Sequence, residues 1–262
     1  MSAAIEYSAR TDRPVVTIRG LPIDASGLAE TARAYVQYCS SAARRSAARP
    51  HYATSANGHV ISLCARDAEV ERLFRSADSI SADGQPMVAL SRILSRHPLP
   101  ERVATTDLFP EVARLAAEAG LSFFMLGATE RVNRKAVEAT RRAYPGLRIV
   151  GRRHGYFARE DEPRICAEIA AAKPDILWVS LGVPLEQQFC VRNLDALRGV
   201  GIVKTAGGLF DFISGEKPRA PNWMQRAGFE WLFRLWHEPR RLFLRYAGTN
   251  PHAILIMLLS MR

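Results

Sequence analysis

The sequence predicts an α/β fold: a Rossmann-like parallel sheet flanked by helices, with a C-terminal helical appendage rich in basic and aromatic residues. Three observations carry this expectation. From Pro50 onward, short apolar β-type runs alternate with longer amphipathic stretches, the pattern of β-α-β units around a buried sheet. The runs Leu121–Leu126, Asp175–Ser180 and Gly201–Thr205 are nearly continuous in apolar residues, as strands buried on both faces are. After about Gly215 the composition changes: Trp223, Phe229, Trp231, Phe233, Trp236, Phe243 and Tyr246 are interleaved with arginines.

The first 49 residues contain one apolar helix candidate, Leu28–Cys39, and then Ser40–Arg49, a small and basic stretch that reads as a linker or loop. Residues 50–214 form the expected α/β core. Short strands are predicted at Tyr52–Thr54 and Ser79-Ile80-Ser81, and Glu130–Ala143 and Pro163–Ala172 read as helices covering the sheet. Residues 215–262 form the appendage, and from Lys217 to Arg262 there are eight basic residues against two acidic ones, Glu230 and Glu238.

A chain of 262 residues with 48% hydrophobic and 24% charged residues buries a sizeable core and is not a disordered one. Its net charge of +10 attracts polyanions, whether nucleic acid, anionic lipid headgroups or diphosphates. The four cysteines, Cys39, Cys64, Cys166 and Cys190, have neither zinc-site nor disulfide-framework spacing and read as reduced thiols. Met1–Arg13 lacks the apolar core of a signal peptide, and the apolar run Ala253–Leu259 is far short of the roughly 20 residues that span a bilayer. The expectation is a cytoplasmic protein touching a membrane only at its surface.

Phosphate-loop, zinc-protease, nucleophile-elbow and dinucleotide fingerprints are all absent, and so is an Asp-x-Asp pair. What remains are strand ends where polar residues meet glycine, the places where α/β sheets put ligand sites. Asp83-Gly84 follows one predicted strand, and on spacing alone a turn aspartate is favoured there. Ser55 and Asn57 close another, where Asn57 reads equally as a helix N-cap. Gly207-Gly208 offers backbone N–H groups to a diphosphate, and Asp211 beyond it faces either ligand or solvent.

The segments Ser55-Ala56-Asn57, Ala82-Asp83-Gly84, Glu101-Arg102-Val103, Phe124–Gly127, His154-Gly155-Tyr156-Phe157, Pro174-Asp175-Ile176-Leu177, Leu181–Pro184, Gly207–Asp211 and Arg219-Ala220-Pro221 occur in the order of one family. The closing run Gly228–Arg234, Glu238–Arg241 and Arg245-Tyr246 is its most distinctive part. In these motifs, spread over about three quarters of the chain, the sequence resembles the bacterial WecG/TagA/CpsF glycosyltransferases. The resemblance implies transfer from a UDP-sugar to a polyprenyl-diphosphate-linked sugar, with inversion, no obligatory metal and no cofactor. It makes Asp83 the catalytic base, places Ser55 and Asn57 on the sugars and sets Arg102 near the diphosphate. Relatives read Pro-Lys-Gln-Glu where this chain has Pro184-Leu185-Glu186-Gln187, so Glu186 and Gln187 are expected on a different donor sugar. Ala104-Thr105-Thr106 stands where relatives have a glycine, which puts the backbone beside Arg102 in question.

In the appendage the resemblance makes Arg234, Arg241 and Arg245 candidates for the donor diphosphate. Aromatic rings among arginines suit an anionic membrane surface. Core packing is the expectation for Phe229, Leu232 and Leu235, and removal of everything after Ser214 is expected to leave a folded but nearly inactive domain. The likeness of Thr205–Phe210 and Trp223-Met224 to exopolysaccharide enzymes makes glucose the first donor and N-acetylmannosamine or its uronic acid the next. No nucleic-acid partner is expected, a homo-oligomer is allowed, and the alternatives are a basic nucleic-acid binder or a nucleotide-sugar oxidoreductase or epimerase.

Overall fold

The computed structural model describes residues 14–226 and 230–262, without the side chains at 45, 222, 226, 234, 241, 242, 244, 245 and 246. The expectations at Phe229, Arg234, Arg241 and Arg245 therefore lie outside the described residues. In chain order the elements are β1 (Val15–Ile18), β2 (Leu21–Asp24), α1 (Leu28–Ser40), α2 (Ala42–Ser46), β3 (His51–Ala56), α3 (Gly58–Arg66), α4 (Ala68–Arg75), β4 (Ser79–Ala82), α5 (Gln85–Leu94) and α6 (Thr105–Glu118). They continue as β5 (Ser122–Gly127), α7 (Glu130–Ala143), β6 (Arg148–Arg153), α8 (Glu162–Ala172), β7 (Ile176–Ser180), α9 (Leu185–Asn193), β8 (Ile202–Thr205), α10 (Leu209–Ile213), α11 (Asn222–Arg226), α12 (Glu230–His237) and α13 (Pro239–Ser260).

Strands β3 to β8 form one six-stranded sheet in the order β4-β3-β8-β7-β5-β6, with every pairing parallel. This is the α/β sheet flanked by helices that the alternating pattern predicts. Successive side chains of a strand face opposite ways, so the apolar runs feed two cores. Phe124, Leu126, Leu177, Val179 and Val203 pack with residues of α3, α8 and α9. Phe123, Met125, Ile176, Trp178 and Ile202 pack with residues of α1, α6 and α7 on the other face. The Trp178 ring meets Phe109 edge-on at 4.9 Å.

Local signals set the helix ends. Thr129 caps α7 by accepting from Val132 N–H, Glu130 lies in the first turn, and Arg141 and Arg142 lie in the last, in accord with the helix dipole.

Three features depart from the sequence reading. The N-terminal part contains a hairpin as well as the expected helix: β1 and β2 turn through Arg19 and Gly20, whose φ values of 48° and 77° are the left-handed pair such a turn requires. Val16, Ile18, Leu21 and Ile23 from it are buried in the core, and the Asp24 carboxylate accepts from Ile80 N–H of edge strand β4 at 2.9 Å. Ser40–Arg49 is no slack linker. It holds α2, and its arginines neutralise aspartates that precede strands: Arg44 bonds Asp175, and Arg49 grips both oxygens of Asp78 at 2.7 and 2.8 Å.

The third departure is α13. Ala253, Met257 and Met261, four residues apart, are buried in the core beside α3. Ser62 Oγ and His252 Nδ1 are 2.9 Å apart, and Thr17 and Arg262 exchange two backbone hydrogen bonds of 2.9 Å. Cutting after Ser214 would uncover that core, so deletion does not separate activity from folding. The outward face of the same helix carries Ile254, Leu255, Leu258 and Leu259, all exposed. Among the described residues, no helix is long and apolar enough to cross a membrane.

Candidate active site

All the strand ends singled out in the sequence meet at the carboxyl edge of the sheet. The chain leaving β3 enters α3 on one face, and the chain leaving β8 enters α10 on the other, as the split of their buried residues shows: Val60 and Ile61 against Leu209 and Phe210. The two connections part between neighbouring strands, the topological switch point at which open α/β sheets place their binding crevice. Ser55 and Asn57 come from β3, Asp83 from the end of β4, and Thr205 to Gly208 from β8.

Asp83 N–H donates to Ala56 O at 2.8 Å, so the residue is fixed at the end of the sheet. Its half-buried carboxylate faces the start of α6, where Thr105 N–H lies 3.5 Å from Oδ2. Asn57 is the N-cap of α3, its Oδ1 accepting from Val60 N–H at 3.1 Å; the cap reading is correct, and the amide NH2 is not used in it. Ala104 precedes α6 with φ −70°, an angle open to any residue, so the backbone here needs no glycine.

Arg102 is not a surface arginine. Val103 N–H donates to Ala82 O at 2.7 Å and lays its loop along the β4 edge. The guanidinium reaches Glu230 at 2.9 Å and Asp107 at 3.3 Å. Burial opposes its charge, but Glu230, Asp83 and Asp107 outweigh that and raise its pKa above the ordinary arginine value. Asp107 also binds Arg219, so two guanidiniums share one carboxylate beside Asp83. Arg219, Asp107 and Glu230 were not singled out as site residues in the sequence.

Glu186 and Gln187 are corrected as direct sugar contacts. They are 2% and 0% exposed, because α9 turns them inward beneath the crevice. Glu186 Oε2 accepts from Gly182 N–H at 3.1 Å and Gly207 N–H at 2.9 Å, tying the β7 and β8 loops together. Gln187 Nε2 donates to Thr54 Oγ1 at 3.2 Å, and Thr54 Oγ1 is 2.8 Å from Thr205 Oγ1. Gly207 adopts φ +56° and its N–H is taken by Glu186, so it is not offered to a diphosphate; Gly208 beside it is exposed. Asp211 is partly exposed and pairs with Lys217 at 3.3 Å, and Lys217 also binds Glu238 at 3.0 Å.

The site also contains Lys204, which the sequence reading passed over. It sits in β8, fully buried, and its Nζ donates to Ser55 Oγ at 2.8 Å and Thr205 O at 2.9 Å. Desolvation lowers its pKa to about 8, against the opposing pull of Glu186 and Asp83. Burial likewise pushes the Glu186 carboxyl up. A lysine inside an otherwise apolar strand, Gly201–Thr205, was the available signal.

In the appendage, Leu232, Leu235, Trp236, Pro239, Arg240 and Phe243 line an open groove of about 700 Å³. Leu232 is 44% exposed, which corrects its assignment to the core: α12 lies on the outside, against its helical neighbours α11 and α13. Trp223, Trp231, Trp236 and Phe243 are exposed as well.

A carboxylate and guanidiniums gathered at the switch point of a parallel sheet can take up a proton while holding an anionic group, the two demands of group transfer from a phosphorylated donor. The fold and these residues suit a transferase. The comparisons name the group: the chain matches the glycosyl transferase WecG/TagA/CpsF family over residues 16–262, and it belongs to that family. It is similar to two enzymes named N-acetylglucosaminyldiphosphoundecaprenol N-acetyl-beta-D-mannosaminyltransferase. One, from Bacillus spizizenii (strain W23), is 32% identical over 190 residues, 72% of each chain. The other, from Bacillus subtilis (strain 168), is 32% identical over 201 residues, 75% of this chain and 77% of the relative. The chain is a glycosyltransferase that moves a hexosyl group.

Proposed function

We propose that the protein transfers a hexose from a UDP-sugar to a sugar carried on a polyprenyl diphosphate, with inversion, in the synthesis of a bacterial exopolysaccharide or cell-wall polymer. The observation that supports this best is Asp83 beside Arg102, whose partner Asp107 also binds Arg219, together with relatives whose names specify a diphosphoundecaprenol acceptor. Asp83 accepts the proton of the acceptor hydroxyl as that oxygen attacks the anomeric carbon. The bond from that carbon to the UDP oxygen breaks on the opposite side, and UDP leaves with the electron pair. Arg102, exchanging Glu230 for the donor, offsets the charge gathering on the diphosphate. Ser55 and Asn57 hold the reacting sugars from the β3 end. Glu186 and Gln187 act on the donor through the loops they fix, and glucose is the first donor to test, ahead of N-acetylmannosamine.

The appendage, residues 215–262, serves the lipid end of the acceptor. The acceptor's tail stays in the bilayer, so the exposed aromatic groove and the Arg240 that lines it bring the enzyme to the inner face of the membrane as a peripheral protein. Arg234, Arg241 and Arg245 divide between lipid headgroups and the donor.

The test incubates purified protein with a panel of UDP-hexoses and a short-chain polyprenyl diphosphate sugar, and reads product mass and anomeric configuration. Transfer with an inverted linkage is expected; no product from any pair of substrates overturns the reading. Arg102→Ala lowers kcat/KM for the UDP-sugar by about 10²-fold, the scale of losing one donor to a developing anion. The double change Trp236→Asp, Phe243→Asp abolishes co-flotation with anionic vesicles and leaves transfer to a water-soluble acceptor analogue intact. Co-flotation equal to wild type would remove the groove from the membrane contact.

A further inference from the structure

Lys204 has no place in the reaction as described, yet its position is costly. A buried ammonium forfeits several kcal/mol of hydration unless its surroundings return it, and an unbranched apolar residue would fill β8 without that cost. The surroundings are specific. Nζ donates to Ser55 Oγ at 2.8 Å, Ser55 Oγ lies 3.2 Å from Thr105 Oγ1, and Thr105 N–H faces Asp83 Oδ2 at 3.5 Å. The chain of contacts therefore runs from the interior of the sheet to the carboxylate of the base.

We infer that Lys204 is a positioning residue: it fixes the direction of the Ser55 hydroxyl and sets a buried positive charge behind Asp83, an inference that rests on the transfer reaction proposed above. An ammonium only donates, so Ser55 Oγ must accept from it. The Ser55 proton then points away from Lys204, toward Thr105 Oγ1 or an incoming acceptor oxygen. An acceptor hydroxyl that receives this hydrogen bond has its own proton left for Asp83, the orientation that deprotonation needs. The titratable and charged groups facing the ammonium are Glu186 and Cys190 on α9 and Asp83 beyond β4. Cys190 is held as the neutral thiol by burial, so the two carboxylates supply the compensation.

The experiment compares pH profiles of kcat/KM for the wild type, Lys204→Met and the charge-neutral pair Lys204→Met with Glu186→Gln, the last guarding against failure of the single variant to fold. The wild type loses activity above pH 8, where the ammonium deprotonates. In both variants that alkaline limb disappears and kcat falls about 10- to 100-fold, the scale of one charge-assisted hydrogen bond, with KM for the UDP-sugar unchanged; the acid limb moves to higher pH in Lys204→Met and by less in the pair, where a negative charge leaves with the positive one. Adding Ser55→Ala to Lys204→Met costs less than Ser55→Ala costs the wild type, because part of what the hydroxyl does depends on the ammonium that orients it. Profiles parallel to wild type, or fully additive losses, overturn the inference. A readout without turnover separates it from the reaction itself: lysine-selective NMR follows the Lys204 titration, whose midpoint drops in Asp83→Asn because a negative neighbour is gone. A midpoint unmoved by that change overturns the inference even where transfer is intact, and an absence of transfer with a shifted midpoint overturns the reaction alone.

Discussion

Asp83→Asn is expected to lower kcat by about 10²–10⁴-fold, the usual worth of a general base, while leaving the fold in place. The asparagine keeps the shape, the backbone bond to Ala56 O and an oxygen toward Thr105 N–H, and loses only the capacity to take a proton. KM for both substrates should move little, since an interaction realised only as the acceptor proton departs affects the chemical step. Thermal unfolding close to wild type, measured beside the rate, shows that the loss is chemical. Turnover equal to wild type would take the base away from Asp83, and a halt on treatment with EDTA would put a metal where the arginines are placed.

The largest change in stability is expected at Glu186. Glu186→Ala removes the acceptor for Gly182 and Gly207 N–H, at about 1–3 kcal/mol for each buried amide left unsatisfied, and takes one neighbouring carboxylate from Lys204. Glu186→Gln should cost far less. Both glycine amides bond the same oxygen, Oε2, which the glutamine carbonyl can replace. The new NH2 group meets the Gln187 NH2, which donates to Glu186 in the wild type, so Gln187 turns over to accept from it and leaves its own NH2 where Oε1 had no partner; one buried group goes unsatisfied in place of the two glycine amides. Denaturant unfolding of the two variants reads the difference; equal losses would mean that charge, not the loop bonds, is what Glu186 supplies.

Lys204 leaves its own mark on stability against pH. Its value is about 8 in the folded chain and 10.5 when unfolded, so between those pH values the unfolded state holds more protons. Stability from this group accordingly rises from pH 8 to 10.5, and Lys204→Met flattens that rise in a series of unfolding curves.

The α/β architecture was legible because its signals are local. Buried parallel strands need unbroken apolar runs, and SFFMLG and ILWVS are such runs, both paired on two sides within the sheet. The bounds of α7 were readable because cap, first-turn acid and last-turn bases are all written within one segment. The hairpin Val15–Asp24 was missed because its four-residue strands alternate too briefly to stand out, and its turn, Arg19-Gly20, has a weak signature. The depth to which α13 is buried was also unreadable, since its inward residues, Ala253, Met257 and Met261, have meaning only once α3 is beside them.

The sequence by itself determined the class of the sheet, the strand-end residues Ser55, Asn57, Asp83 and Gly207, and the basic and aromatic character of the C-terminal helices, all of which depend on residue type and near neighbours. Only the tertiary structure decided which way side chains turn. It sent Glu186 and Gln187 beneath the crevice, joined Arg102 to Glu230 across 128 positions, and set Lys204 against Ser55 across 149. Charge in a protein acts through space and through the water it displaces, and neither distance nor desolvation exists until strands far apart in the chain lie side by side.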